Sequence, residues 1–305
     1  MIRLLVCGIS VMDYVHRVAA LPVSEGKHRS TSFERIGGGC AANAAVAAAR
    51  LGAEVTLMTR IGGGCAANAA VAAARLGAEV TLMTRMGADA TGDELAGLLA
   101  GQNIVPAFAR GGRTPLSSVM VDPEGERMIV NFPGADLPDT PPDVPTFDAA
   151  LCDCRWPQAT EAVLRAARAA GVPAVLDGEK YTPESLAALA SHVVFSAPGL
   201  RDFTGIDALP QALADAAARL PGRVAYTDGP NGVSWADGPH IPAQRIASVD
   251  TLGAGDVWHG AFTLALARGR DLTAASTFAN HVAATKCTRA GGWDQYPTHI
   301  ELETE

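Results

Sequence analysis

The chain has 305 residues, of which 48% are apolar, 18% charged and 5% aromatic, enough to bury a sizeable core and too apolar for disorder. Its 24 Lys plus Arg against 32 Asp plus Glu leave a net charge of −8, so it lacks the positive field that non-specific nucleic-acid binding requires. No apolar run approaches the ~18 residues of a membrane helix, and Met1–Ser10 lack the basic cluster and cleavage site of a signal peptide. A buried first strand and a cytoplasmic setting are expected.

In chain order, Ile2–Val6 is a short apolar run bounded by Gly8, as a buried strand should be. Residues 12–35 alternate polar with apolar. Arg35–Thr59 (RIGGGCAANAAVAAARLGAEVTLMT) is then repeated letter for letter as Arg60–Thr84. Two copies are too few for a solenoid, so an undrifted tandem duplicate of which one fold needs a single copy is expected. Each copy predicts a glycine loop, an Ala-rich helix (Ala41–Leu51 or Ala66–Leu76) and a strand. Residues 114–132 predict a hairpin, with Ser117–Val121 and Arg127–Asn131 flanking the turn signal Asp122-Pro123-Glu124-Gly125.

Beyond it, apolar runs at Ala149–Leu151, Ala174–Leu176, Val193–Phe195 and Val224–Tyr226 alternate with helical patterns at Ala159–Ala170, Pro183–Ala190 and Leu209–Leu220. Thr182-Pro183-Glu184 predicts a helix start with Thr182 as cap. This alternation predicts an α/β fold with helices on both faces of a mainly parallel sheet. Residues 1–11, 36–113 and 133–305 would form it; 12–35 and 114–132 would form a small antiparallel lid. None of the six cysteines forms a C-x-x-C pair and the seven histidines show no ligand spacing, which assigns no metal ligand. Cys152 and Cys154, two apart on a strand, are expected as buried thiols on one face.

The sharpest chemical signal is Asp250-Thr251-Leu252-Gly253-Ala254-Gly255-Asp256, opening a helix. Small residues at 253–255 leave main-chain amides unobstructed at a helix N-terminus, where they lack intrahelical partners and share the positive dipole end. That is a site for phosphate. Asp256 would repel such an anion, so a structural role explains it poorly; as a base removing the proton of an attacking hydroxyl, it fits. A capping acid after a glycine turn is the competing reading.

This heptapeptide resembles the C-terminal signature of the PfkB, or ribokinase-like, sugar kinases. Gly37-Gly38-Gly39-Cys40-Ala41-Ala42-Asn43 resembles their N-terminal signature, Val121–Arg127 their lid hairpin, and Thr227-Asp228-Gly229-Pro230-Asn231-Gly232 their nucleotide-side loop. The resemblance covers nearly the whole chain in the family's order. It implies a three-layer α/β/α domain with a β lid, ATP and Mg2+ as cofactors, and phosphoryl transfer to a sugar hydroxyl. Asp256 would be the base and the amides of Gly253, Ala254, Gly255 and Asp256 the anion hole. Asp13, Gly38, Gly39 and Asn43 would hold the sugar; Thr227, Gly229, Gly232, Thr251 and Asn280 would line the nucleotide. A homodimer through the lid is also implied. Leu252 replaces the family's commoner second Thr, and Phe195–Leu200 lacks the N-x-x-E often found near the metal, so the metal ligands stay open.

Met1–Lys27, Gly37–Arg50, Asp153–Trp156, Phe195–Leu200 and Lys286–Arg289 together resemble the 6-deoxy-6-sulfofructose kinase branch. There a lid Lys, an Asn after the lid hairpin and an Arg after a main-domain strand grip the sulfonate, matching Lys27, Asn131 and Arg155. A point charge, an amide donor and a planar guanidinium suit a tetrahedral anion. Phosphate would fit a similar clamp, so a 6-phosphosugar stays open beside another ketose or ribose. Each residue also has a plain alternative: a solvated charge, a strand-end turn residue and a surface ion pair. Two other classes compete. Gly37–Ala42 satisfies G-x-G-x-x-A, with Glu54 downstream, as in dinucleotide-binding oxidoreductases; residues 9–36 separate it from the first strand, however. A non-catalytic sugar sensor is the third class, against which the intact Asp256 argues.

Overall fold

A computed structural model describes residues 2–38, 40–51, 54–62, 81–93, 105–123, 127–289 and 295–298. The first strand runs further than its apolar half requires: β1 spans Arg3–Arg17. Leu4–Cys7 pair with β8 (Ala149–Cys152) and Arg3–Val11 with β3 (Glu54–Gly62), both parallel. From Val11 onward β1 leaves that company. It pairs antiparallel with β2 (Ser32–Gly38) and parallel with β6 (Leu116–Val121), which forms a hairpin with β7 (Arg127–Phe132). One strand therefore serves both the central sheet and the lid. The lid's pairings are not all antiparallel, because β6 returns alongside β1. The turn at 124–126 lies outside the described residues.

The central sheet has the order β13-β12-β11-β10-β9-β8-β1-β3-β4-β5. Here β4 is Thr81–Met86, β5 Val105–Arg110, β9 Ala174–Gly178, β10 His192–Ser196 and β11 Arg223–Thr227. These strands are parallel to their neighbours; β12 (Val233–Trp235) and β13 (His240–Ile241) add an antiparallel edge. Side chains alternate across a strand, and β1 shows the consequence. Leu4 and Val6 enter one core with residues of α1 (Cys40–Arg50), α6 (Ala254–Ala267) and α7 (Leu272–Cys287). Leu5 and Cys7 enter the other, with α2 (Pro157–Ala170), α4 (Ala197–Thr204) and α5 (Leu209–Arg219). The short α3 (Glu184–Ala187) joins that second layer. Helices thus cover both faces of a mainly parallel sheet.

Two local expectations change. Pro183, not Thr182, takes the capping position of α3 and makes no side-chain cap; the Thr182 hydroxyl instead donates to the Glu179 carbonyl at 2.7 Å. Cys152 is buried on β8, but Cys154 lies beyond the strand's end and is only half-buried. The two thiols do not share a strand face.

The duplicate resolves into two strands side by side. In the β3–β4 pairing Leu57 lies opposite Leu82, Met58 opposite Met83 and Thr59 opposite Thr84, so identical residues pair across the offset. The second copy's predicted helix falls at 66–76, outside the described residues. Excising residues 60–84 would leave Arg85-Met86-Gly87 in the place of Arg60-Ile61-Gly62, and the sheet would narrow by one strand without a new chemistry at the junction. We expect the excised chain to melt no lower than the parent in a thermal scan. A drop of more than about 5 °C, more than ~1 kcal/mol for a chain this long, would mean that both copies stabilise the fold.

Candidate active site

The site lies where the C-terminal ends of β8 and β9 meet the N-termini of α1 and α6. Gly253 caps α6 with φ +75°, a left-handed conformation that a side chain disfavours. A Cβ there would also stand 2.6 Å from the Tyr296 hydroxyl. Asp250 shapes the turn by accepting the Leu252 N–H at 2.9 Å. One of the four expected cradle amides is taken: the Ala254 N–H donates to the Thr251 carbonyl at 3.2 Å. Those of Gly253, Gly255 and Asp256 donate to no described residue. A Cβ on Gly255 would meet nothing within 4 Å, so this face of the turn opens on free space. Of the four expected cradle amides, three thus have no bond to a described residue.

Asp256 sits in the first turn of α6, half-buried, and its Oδ2 accepts from Asn43 Nδ2 at 2.5 Å. Asn43 reaches it because α1 crosses α6 closely: a Cβ on Gly260 would come within 2.1 Å of the Ala44 carbonyl oxygen. Burial pushes the Asp256 carboxyl up to about 7; the Asn43 hydrogen bond opposes this, and the nearby Glu179 and Asp153 charges add to it. A carboxyl poised there exchanges a proton readily at neutral pH.

Around it stand Cys40 and Arg155 together with Asp153, Asp177 and Glu179, three acids to which the motifs gave no role. Cys40 Sγ lies 3.5 Å from Glu179 Oε1, and Glu179 Oε2 pairs with Arg155 Nη2 at 2.5 Å. The Arg155 N–H donates to Asp153 Oδ1 at 2.7 Å. Asp153, Cys154, Arg155, Asp177, Glu179 and Lys180 help wall a cavity of about 110 Å3. Ligand atoms of Cys40, Asp177 and Asp256 lie within 4.8 Å of one another. Burial, then the charges of Asp256 and Glu179, drives the Cys40 thiol well up, which favours its neutral form. Burial, then the Glu179 and Asp256 charges, raises Asp177 as well. Such crowding of acids at strand ends had a sequence signal: Asp153 and Glu179 come shortly after the predicted strands Ala149–Leu151 and Ala174–Leu176, where α/β sheets bind ligands.

The sugar-side candidates divide. Asp13 is buried on β1 and pushed up to about 7, mainly by burial, with its Ser117 hydrogen bond opposing. Register places Asp13 opposite Ser117 and Ser117 opposite Asn131, so the three form one row across the lid, Asn131 at its exposed end. Gly38 pairs with Val11 at the end of β2; Gly39 lies outside the described residues. Lys27 is exposed on the 18–31 connection and makes no hydrogen bond or ion pair with a described residue. Nothing joins it to Arg155.

On the nucleotide side, Thr227 ends β11 and Thr251 is exposed beside the cradle. Gly229 (φ +50°) and Gly232 (φ +89°) bracket a tight turn closed by the Asp228 N–H on the Gly232 carbonyl at 2.9 Å. Asn280 is engaged internally. Its Oδ1 accepts from Trp258 Nε1 at 2.7 Å, and its Nδ2 donates to the Ile241 and Pro242 carbonyls at 3.2 and 3.1 Å. It anchors the sheet edge to α6 and α7.

The family model described as pfkB family carbohydrate kinase matches residues 1–63 and 60–299. The chain belongs to this family. It is a carbohydrate kinase, a phosphotransferase with the ribokinase-like fold. The two matches meet at the junction of the tandem copies. The chain is 28% identical to the ribokinase of Bacillus subtilis, covering 98% of this chain and 97% of that one. It is 26% identical to the ATP-dependent ribose-1-phosphate kinase of Halopiger xanaduensis, over 95% and 94%. A crystal structure of a ribokinase-like protein from Agrobacterium tumefaciens superposes with a TM-score of 0.82 at 33% identity, covering 99% and 96%. The oxidoreductase and sensor alternatives fall with this membership. Gly37 and Gly38 belong to an antiparallel lid strand, not to the strand-to-helix turn that a dinucleotide requires. No described helix of this kinase is long and apolar enough to cross a membrane.

With Asp256 as the expected base, its carboxyl pushed up to about 7 by burial, turnover should fall as pH drops through that value, because a base must be ionised to accept a proton. A kcat/KM profile should show an acid limb with an apparent pKa between about 6 and 8. A profile flat down to pH 5 would contradict the assignment.

Proposed function

We propose that the chain transfers the γ-phosphoryl of ATP to a hydroxyl of an anionic sugar, the 1-OH of 6-deoxy-6-sulfofructose fitting best. The amides of Gly253, Gly255 and Asp256 receive the migrating phosphoryl oxygens, and Asp256 takes the proton of the attacking hydroxyl. Asn43 fixes the direction of that carboxylate, and Asp13 and the glycine loop at 37–39 hold the other sugar hydroxyls. Thr227, Gly229, Gly232 and Thr251 line the nucleotide. Asp177 and Glu179 are hard oxygen donors that would hold magnesium through water, and the ion would supply neutralisation of charge on the phosphates. Burial, then the Glu179 and Asp256 charges, raises Asp177, and a cation there would offset the repulsive part. Closure of the lid excludes water that would otherwise hydrolyse ATP.

The observation that carries the substrate reading is the chain of contacts from the base to a guanidinium: Asp256 beside Cys40, Cys40 to Glu179, Glu179 to Arg155. That chain of contacts supports Arg155 as the group facing the far end of the sugar, where a guanidinium suits a tetrahedral anion. Asn131 at the exposed end of the Asp13 row, and Lys27 on the lid, would complete the clamp when the lid closes. One observation favours a second reading. Glu179 already balances the Arg155 charge at 2.5 Å, as a site for a neutral sugar such as ribose would have it. On the lid's other face Phe33, Met128 and Val130 are exposed, an apolar stripe suited to a homodimer built lid against lid.

A panel of 6-deoxy-6-sulfofructose, fructose 6-phosphate, fructose and ribose, assayed for ADP release, separates these readings. With the preferred anionic sugar, Arg155→Ala should raise the sugar KM at least tenfold, the scale of one lost charge-assisted hydrogen bond, and leave the ATP KM within about threefold. Parallel rises in both, or preference for ribose over both anionic sugars, would overturn the clamp.

A further inference from the structure

Lys286 is completely buried, the only lysine among the described residues in that state. A solitary buried ammonium is costly unless it is paired and hydrogen-bonded. Here Nζ donates to the Asp250 carbonyl at 2.8 Å and lies 3.7 Å from the Asp250 carboxylate. The lysine belongs to the last turn of α7, whose negative dipole end favours a cation. The same helix end also holds the backbone just before the cradle: the Val249 and Asp250 N–H groups donate to the Cys287 carbonyl at 2.8 and 3.2 Å. Among the described residues, the Asp250 carboxylate accepts the Leu252 N–H, faces Lys286 and pairs with Arg17 Nη2 at 3.3 Å. Arg17 ends β1 at the lid.

We propose that Lys286 is a positioning residue whose buried ammonium fixes the phosphate-cradling turn 250–253 through Asp250, with Arg17 tying the same carboxylate to the lid strand. It touches neither sugar nor nucleotide. An ammonium holding both the carbonyl and the carboxylate of one residue restricts rotation about that residue, and the amides of Gly253 and Gly255 keep the direction that the migrating phosphoryl needs. The inference rests on the sugar-kinase reading of this turn.

The test uses the full chain with Lys286→Ala, which lacks the atoms of one propylammonium ion. With the preferred sugar, kcat should fall on the order of 10²-fold, the scale of a small displacement at a reacting centre, with the sugar KM within about threefold of the parent. Millimolar propylammonium should restore kcat at least tenfold, whereas 1-propanol, of the same shape and uncharged, should not. Unchanged kcat, equal rescue by propanol, or no rescue by the amine would each overturn the inference. Should Lys286→Ala fail to fold, Lys286→Met combined with Asp250→Asn removes both charges and leaves neither buried alone. A folded double variant with parental kcat overturns the inference, and one with depressed kcat at unchanged sugar KM supports it. The parent's acid limb near pH 7 keeps the two levels apart. Its absence counts against Asp256 as base, whereas its presence with parental kcat in the variant counts against Lys286 alone.

Discussion

A hydrogen bond of 2.5 Å from Asn43 to Asp256 joins two helices that lie more than two hundred residues apart in the chain. It exists because Gly260 lets α6 approach the α1 backbone to a distance that no side chain would allow. The approach places Asn43, in the first turn of α1, against the glycine turn that opens α6, where a Cβ on Gly253 would stand 3.3 Å from Asn43 Nδ2. A bulkier residue at 260 would part the helices and with them Asn43 from Asp256. The turn that opens α6 and its raised carboxyl take their positions relative to α1 from this contact.

The electrostatics of the cleft follow from burial first and from neighbouring charge second. Burial, then nearby acid charges, pushes the Cys40 thiol and the Asp177 and Asp256 carboxyls up. An acid cluster of this kind suits a reaction in which a cation accompanies the nucleotide and a proton must leave an alcohol. Arg155 stands inside the cluster, paired with Glu179, and gives the cleft a directional positive group. The proposed anionic sugar would have to share or exchange that partner, which makes Glu179 as relevant to specificity as the guanidinium itself. Lys27, set on an exposed connection, can contribute to such a clamp only through a change in the lid's position.

Much of this arrangement was legible in the sequence, and the rest was hidden for identifiable reasons. Short apolar runs between helical patterns located β8 to β11 because buried parallel strands have no polar face to disguise them. The glycine-bounded heptapeptide located the turn that opens α6, because a left-handed glycine before a helix leaves its mark in the sequence. The length of β1 was not legible: its apolar half and its alternating half look like two strands, and only pairing shows one strand crossing from sheet to lid. Internal bonding of the Ala254 amide and of the Asn280 side chain was invisible for a similar reason, since sequence spacing does not reveal which polar groups the protein satisfies by itself. Arg155 was chosen as a candidate, yet its partner Glu179 was not, because the pair spans two different strand ends.

The tandem copy shows the same limit from another side. Identical letters offer no means of choosing between the two glycine loops, whereas in the fold the first copy supplies Asn43 to Asp256 and the second copy supplies β4. The central claim remains the division of labour between main-chain nitrogens that receive a phosphoryl group and a neighbouring acid that frees the acceptor oxygen. Replacing Asp256 with Asn keeps the size and the hydrogen-bonding reach of that side chain and removes its basicity. Single-turnover phosphorylation by this variant, measured beside calorimetric titration with ATP, addresses the claim most directly. The account predicts transfer slowed at least ~10³-fold, within the 10²–10⁴ range of a lost general base, with ATP affinity within about threefold of the parent. Transfer at more than a tenth of the parental rate would contradict it.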